Sequence, residues 1–287
     1  MSKAKILVCV HKKDYAHAND IYMPIHVGKS LSNNDLGIAG DDTGDNISEK
    51  NNAYCELTAL YWAWKNLKDT DYVGLCHYRR YFDFRKTRKK VADSKDAIVN
   101  PDLSLFNKYD IILPEPIPLS ISAADYHNRG HVPEDFYILC KVILQLYPEY
   151  KDTVNYFYSS FNKWIGLNMF LAKKEIMDDY AEWLFNVLFE TEKKVLLSPY
   201  SYQQRIFGFM GEILLPMYCF HNKLKIGYKP VISLTNNSYK PRPYWKKAAR
   251  ASVNNLSFKL SRLTKRNRDI QTGFDFFENY FKNDNIF

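Results

Sequence analysis

A chain of 287 residues, 46% hydrophobic and 25% charged, has the composition of a folded protein with one large domain or one domain plus an appendage. No apolar run reaches the roughly 18 residues that a membrane-spanning helix needs. Five scattered cysteines without CxxC spacing exclude a disulfide framework and read as buried free thiols. The net charge is +8, yet ten of the 40 Lys and Arg residues lie between 240 and 268, where there is no Asp or Glu. The basic character therefore belongs to the tail, and the rest of the chain is slightly acidic.

In chain order, "KILVCV" (5–10) reads as a first buried strand, followed by the polar "HKKD". Its apolar part is too short for a secretory signal, so a reducing, cytoplasmic setting is expected. Residues 28–50 are loop-like, with "GDDTGDNIS" at the centre. "KNNAYCELTALYWAWKNL" follows as one helix, with Tyr54, Leu57, Leu60, Tyr61, Trp64 and Leu67 on an apolar stripe. "YVGLCHY" is a second strand and "YDIILP" (109–114) a third, separated by a hydrophilic loop that includes the basic stretch 85–95. Helices are expected at 134–147 and 149–160, a strand at 164–172, and helices at 174–195 and 201–221. "KIGYKPVISL" (225–234) is a last strand, broken or edge-placed by Pro230. Alternating strands and helices predict an α/β domain with a largely parallel sheet over 1–239.

After residue 240 the pattern changes. Trp245, Ala249, Val253, Leu256, Leu260 and Leu263 recur at spacings of three and four, with Lys and Arg between them. This is a basic amphipathic helix, suited either to an anionic membrane surface through 245–268 or to packing its stripe on the domain. "GFDFFENYF" (273–281) adds five aromatics.

The stretch "DYVGLCHYRRYF" poses the functional question, because a buried strand ends in a cluster of cations. Ligands of open parallel sheets bind at the carboxyl ends of strands. There the sequence puts His11, Lys12, Lys13, His77, Arg79 and Arg80, a rim suited to a small polyanion such as a diphosphate, with Tyr78 or Tyr81 flanking it. The alternative is pairing of the arginines with local acids such as Asp83. No GxGxxG, P-loop, HExxH or CxxC pair is present. His127 and His131, at i and i+4 beside Asp135, have a ligand-like spacing, but "YHNRGHVPED" reads better as a loop leading into a helix near Pro133.

"HKKD", "GDDTGDNISEKNNAYCELTALYWAWKN", "DYVGLCHYRRYF", "NMFLAKKEIMDDYAEWLFNVLFE" and "YSYQQRIFGFMGEILL" cover most of residues 5–220 in order. On these the chain resembles a family of bacterial glycosyltransferase-like proteins of capsule, exopolysaccharide and O-antigen clusters. The resemblance implies a GT-A-like fold with a Rossmann-type sheet. It also implies transfer of a hexose, galactofuranose in some relatives, from a UDP-sugar to a growing, lipid-linked surface polysaccharide at the inner face of the plasma membrane. In most GT-A enzymes the strand matching "YVGLCHY" ends in Asp-x-Asp, which holds a divalent metal. Here that place reads His77-Tyr78-Arg79-Arg80. Arg79 and Arg80 are expected to replace the metal, so no resident cofactor is expected, although Asp41, Asp42 or Asp45 could bring a manganese or magnesium ion.

By the same correspondence, His11 and Lys12 border the nucleotide, and Asp42, Asp45, Asn46, Lys50 and Asn51 touch base, ribose or sugar. Asp and Asn there also make turns on their own account. Asn168, Gln204 and Arg205 are donor-side candidates. Asp135 and Glu212 are candidates for the base of an inverting transfer, and Glu212 could equally be a buried partner of Arg205 or of the arginine cluster. The rival class is a non-catalytic, basic-tailed membrane- or nucleic-acid-binding protein. The confinement of charge to the tail argues against nucleic acid as the partner.

Overall fold

The computed structural model describes residues 3–85, 95–234, 244–264 and 269–281. Most of the basic loop 85–95, residues 240–243 and the basic end of the tail at 265–268 lie outside the described residues, as do the side chains of 276–281.

The first elements are β1 (Ala4–Val10), β2 (Tyr22–His26), β3 (Ala39–Gly40), α1 (Asn51–Tyr54), α2 (Leu57–Asn66), β4 (Tyr72–His77), β5 (Arg80–Phe82) and β6 (Ile111–Pro114). Then come β7 (Ile117–Pro118), α3 (Ala123–Gly130), α4 (Pro133–Leu146), α5 (Lys151–Ser159), β8 (Lys163–Trp164), β9 (Phe170–Lys173) and α6 (Lys174–Glu192). The chain continues with α7 (Ile206–His221), β10 (Ile226–Lys229), β11 (Val231–Ser233), α8 (Tyr244–Thr264) and α9 (Ile270–Phe281). It divides into two compact units. One is Met1–Glu115 with Ile165–Phe185 and Pro199–Pro241, and the other is Pro116–Trp164 with Asn186–Ser198 and Arg242–Phe287.

The first unit holds a mixed sheet in the order β10-β6-β9-β4-β1-β2-β3. β1 pairs in parallel with both β2 and β4, and β2 pairs in parallel with β3. β9 runs antiparallel between β4 and β6. The central strands are continuous apolar runs because helices cover both faces of such a sheet. Ile6, Leu7, Val8, Val73, Leu75 and Cys76 are buried. Pro230 splits the last expected strand as its missing N–H requires: β10 pairs with β6 and β11 with β5.

Two expected elements are each broken in two. The helix over 50–67 is interrupted at Cys55, whose φ of 52° and ψ of −131° separate α1 from α2. The strand over 164–172 stops at Trp164 and resumes at Phe170, because Leu167 (φ 77°) and Asn168 (φ 49°) make a left-handed turn between. Two other expected helices are shorter than read: α6 ends at Glu192, and α7 starts at Ile206 after a 3₁₀ turn at Gln203–Arg205.

In the second unit, β7 and β8 form a short antiparallel pair. The Ser122 side chain caps α3 by accepting from the Asp125 N–H. Tyr137 and Tyr158 share a hydroxyl–hydroxyl hydrogen bond of 3.1 Å. Gly273 of α9 approaches Tyr137 so closely that a Cβ would sit 2.3 Å from its ring.

The loop 28–50 of the first unit is organised by one buried acid. Asp41, fully buried, accepts from the N–H groups of Gly28 and Lys29 and from the hydroxyls of Ser48 and Thr58. Removing the carboxylate strands two backbone donors, each costing about 1–3 kcal/mol. Asp41→Ala is therefore expected to lower unfolding stability by about 3 kcal/mol or more. A change below about 1 kcal/mol in urea denaturation would contradict this role.

Candidate functional site

The register Cys9↔His77 sets the carboxyl ends of β1 and β4 side by side. His11 follows β1 and leans edge-on against the Tyr78 ring, with centroids 5.4 Å apart. Tyr78 and Arg79 form the two-residue turn from β4 into β5, since His77 pairs with Arg80. Tyr78 and Tyr81 are buried, and the Tyr81 hydroxyl accepts from the His17 N–H at 3.0 Å.

Of the residues expected at the rim, Lys12, His77 and Arg79 stand within electrostatic reach of His11, as does Arg205. Desolvation holds the His11 imidazole below its ordinary value, aided by Lys12, Arg79, Arg205 and His77. Arg79 makes a two-pronged contact with Asp14, its Nη2 lying 2.8 Å from Oδ2. Arg79 and then the Tyr15 N–H hold the Asp14 carboxyl below the usual range. Asp83 pairs with Arg85, and Arg80 has no side-chain partner among the described residues. Arg205, brought in by the turn before α7, donates from Nε to the Cys55 sulfur at 3.2 Å.

Below this rim lies a junction that the sequence reading does not anticipate. The Leu167 carbonyl accepts from His77 Nε2 at 2.7 Å, and its N–H donates to Glu212 Oε1 at 2.8 Å. Asn168 Nδ2 donates to Glu56 Oε1 and to the Gly208 carbonyl, both at 2.8 Å. Two acceptors fix the amide orientation, because a flipped Asn168 would face them with its own oxygen. Glu56 Oε1 also stands 3.9 Å from His77 Nε2. The His77 Nε2 therefore carries the proton that the Leu167 carbonyl accepts. α7 comes this close because Gly208 faces Cys55 and Gly211 faces Asn168.

Several expected contacts are occupied in building the fold. Asn46 Oδ1 accepts from the Ser48 N–H, and Asn51 Nδ2 donates to the Cys55 carbonyl and to Thr58. Asp45 accepts from the Tyr61 hydroxyl, and the Lys50 ammonium lies 5.9 Å from the Tyr54 ring centroid. Asp42 is exposed, and Gln204 is half-buried in the turn before α7. Glu212 is at the junction, holding the Leu167 N–H. Asp135 is half-buried in the first turn of α4, in the second unit. The His127 and His131 rings touch at a tilt of 47°, with centroids 4.6 Å apart, and burial lowers the His127 pKa to about 3. Among the described residues no three His, Cys, Asp or Glu side chains converge as metal ligands. The end of β4 does not fit a metal either: it presents two guanidinium groups and a histidine already committed to a carbonyl.

The missed residues are Cys55 and Glu56. Burial, then the neighbouring Glu56, pushes the Cys55 thiol up to about 12, so it accepts from Arg205 as a neutral thiol. Nothing in the helical spacing of 50–67 marks the break that turns Glu56 inward.

The first unit thus has the GT-A-like architecture: a mixed, Rossmann-type sheet flanked by helices, with its cations at the carboxyl ends of β1 and β4. The model of a family described as a domain of unknown function (DUF4422) matches residues 5–223, and the chain belongs to that family. The apo structure of the bifunctional glycosyltransferase WbbM is similar, with a TM-score of 0.74 and 30% identity over 85% of this chain and 48% of that one. The chain therefore spans about half the length of that protein. No curated protein matches it.

Gly211→Ala would place a methyl 2.7 Å from Asn168 Oδ1, an atom held by its amide's two bonds. It is expected to cost about 1–3 kcal/mol of stability, and an unchanged thermal midpoint would contradict the junction. Burial and then Glu134 raise the Asp135 carboxyl to about 6. Its contribution to stability is full below about pH 4 and is lost as pH rises through 6. Asp135→Asn is expected to stabilise by up to about 1 kcal/mol at pH 8, allowing for solvent screening, and hardly at all at pH 4. Equal effects at both pH values in denaturant titrations would contradict the shift.

Proposed function

We propose that the chain is a nucleotide-sugar-dependent glycosyltransferase that moves a hexose from a UDP-sugar to a growing, lipid-linked surface polysaccharide. The observation that carries this reading is the convergence of His11, Lys12, Arg79 and Arg205 at the carboxyl ends of β1 and β4. The fold's likeness to a bifunctional glycosyltransferase supports the reaction class. The family resemblance makes galactofuranose the first hexose to test and the membrane's cytoplasmic face the place of action.

Transfer breaks the bond between the anomeric carbon and the diphosphate oxygen, so negative charge grows on the leaving diphosphate. Fixed cations aimed at that charge lower the barrier. In this reading Arg79 and Arg80 supply the charge that a metal supplies elsewhere, and the incoming diphosphate competes with Asp14 for the Arg79 fork. The acceptor hydroxyl gives its proton to a carboxylate at the junction, Glu56 or Glu212. His77, the Leu167–Asn168 turn and α7 hold both acids in place.

UDP release from UDP-hexoses, offered with a lipid-linked glycan acceptor, tests the reading. UDP is expected to appear faster with acceptor than without it. Arg205→Ala is expected to lower kcat/KM by about 10²-fold, the effect of losing one charge-stabilising donor. Acceptor-independent release with every UDP-hexose tried would sink the proposal.

A further inference from the structure

The sequence offers two fates for the apolar stripe of α8: packing on the protein, or contact with a membrane surface. Within its unit, α8 is held by its other face. Asn254 Nδ2 donates to the Pro118 carbonyl at 2.8 Å, and Asn255 accepts from Asn162 at 3.0 Å. Phe258 is buried, and Ala251, Asn254 and Ser261 are half-buried. The stripe is left in solvent: Trp245 is 66% exposed, Val253 65%, Leu256 59%, Leu260 55% and Leu263 83%.

A helix turns by about 100° per residue, so the exposed stripe covers roughly an 80° arc centred about 160° from the packed face. Lys246 and Lys259 border the stripe on opposite sides, and Lys247, Arg250 and Arg262 complete an exposed cationic set in a helix without acids.

We infer that α8 docks on an anionic lipid bilayer, with the Trp245–Leu263 stripe in the headgroup boundary and the flanking cations on lipid phosphates. Charge decides between the occupants. A second copy meeting this face would set Lys246 and Lys259 against their own equivalents or near them. A nucleic acid would set phosphates against five exposed apolar side chains. Only an anionic bilayer offers an apolar layer bounded by negative charge, in the order in which α8 presents apolar and basic groups.

The test is flotation of the full chain with vesicles of phosphatidylcholine alone and of phosphatidylcholine mixed with phosphatidylglycerol. The chain is expected to float with the anionic vesicles and weakly with the neutral ones. Leu256→Asp/Leu260→Asp alters exposed positions only and is expected to reduce the bound fraction about tenfold or more, as is Lys246→Glu/Lys259→Glu. UDP affinity should stay unchanged in both variants, so that a loss of flotation bears on α8 and not on the donor site. Three results would overturn the inference: no flotation on anionic vesicles, the leucine variant binding like wild type, or a vesicle-free dimer that the leucine variant dissociates. Duplex DNA binding that survives the leucine substitutions while vesicle binding is absent would assign the charge to nucleic acid instead.

Discussion

The arrangement of the first unit depends on a turn that its own residues disfavour. A left-handed conformation costs an L-residue about 1–2 kcal/mol, and Leu167, unlike Asn168, has no polar side chain to ease it. The turn persists because both backbone polar groups of Leu167 are held, the carbonyl by His77 and the N–H by Glu212. Asn168 then ties the turn to Glu56 and to the α7 backbone. Four segments distant in sequence meet at this one turn: the end of β4, the start of α2, the approach to β9 and the first turns of α7. Strain of this kind collects where the surrounding structure over-determines a site. Here it sits directly beneath the cation rim.

The rim follows from strand direction. Parallel pairing of β1 with β4 sends both polypeptide ends the same way, so His11 and His77 emerge together. A two-residue turn then holds Arg79 above them, while the break before α7 delivers Arg205 from the other side. Asp14 occupies the Arg79 fork at an exposed position. An ion pair in that setting contributes little to stability, which leaves Arg79 available to a better-matched anion.

Much of this was legible in the sequence. β1, β4 and β6 are short apolar runs ended by polar residues, and their buried, sheet-central position is what such runs encode. The Arg79 and Arg80 cluster at the end of β4 needed only the rule that open sheets bind ligands at strand carboxyl ends. The breaks at Cys55 and Leu167 were not legible, because neither residue type announces a positive φ and tertiary contacts impose it. Asn168 inside an apolar run and Gly208 with Gly211 in one helix face were the available signals for a close junction. For the tail, composition gave the helix and its stripe. It could not tell which face packs, since the packed face uses Ala251, Asn254 and Ser261 around a single Phe258.

The claim that fixed cations at the end of β4 hold a nucleotide diphosphate without a metal is tested most directly by isothermal titration of UDP. The titration would be run first in EDTA and then with manganese, on the wild-type chain and on Arg79→Ala/Arg80→Ala. The account predicts binding in EDTA that manganese does not strengthen and that the double variant loses. Binding that appears only with manganese, or that survives loss of both arginines, would contradict it.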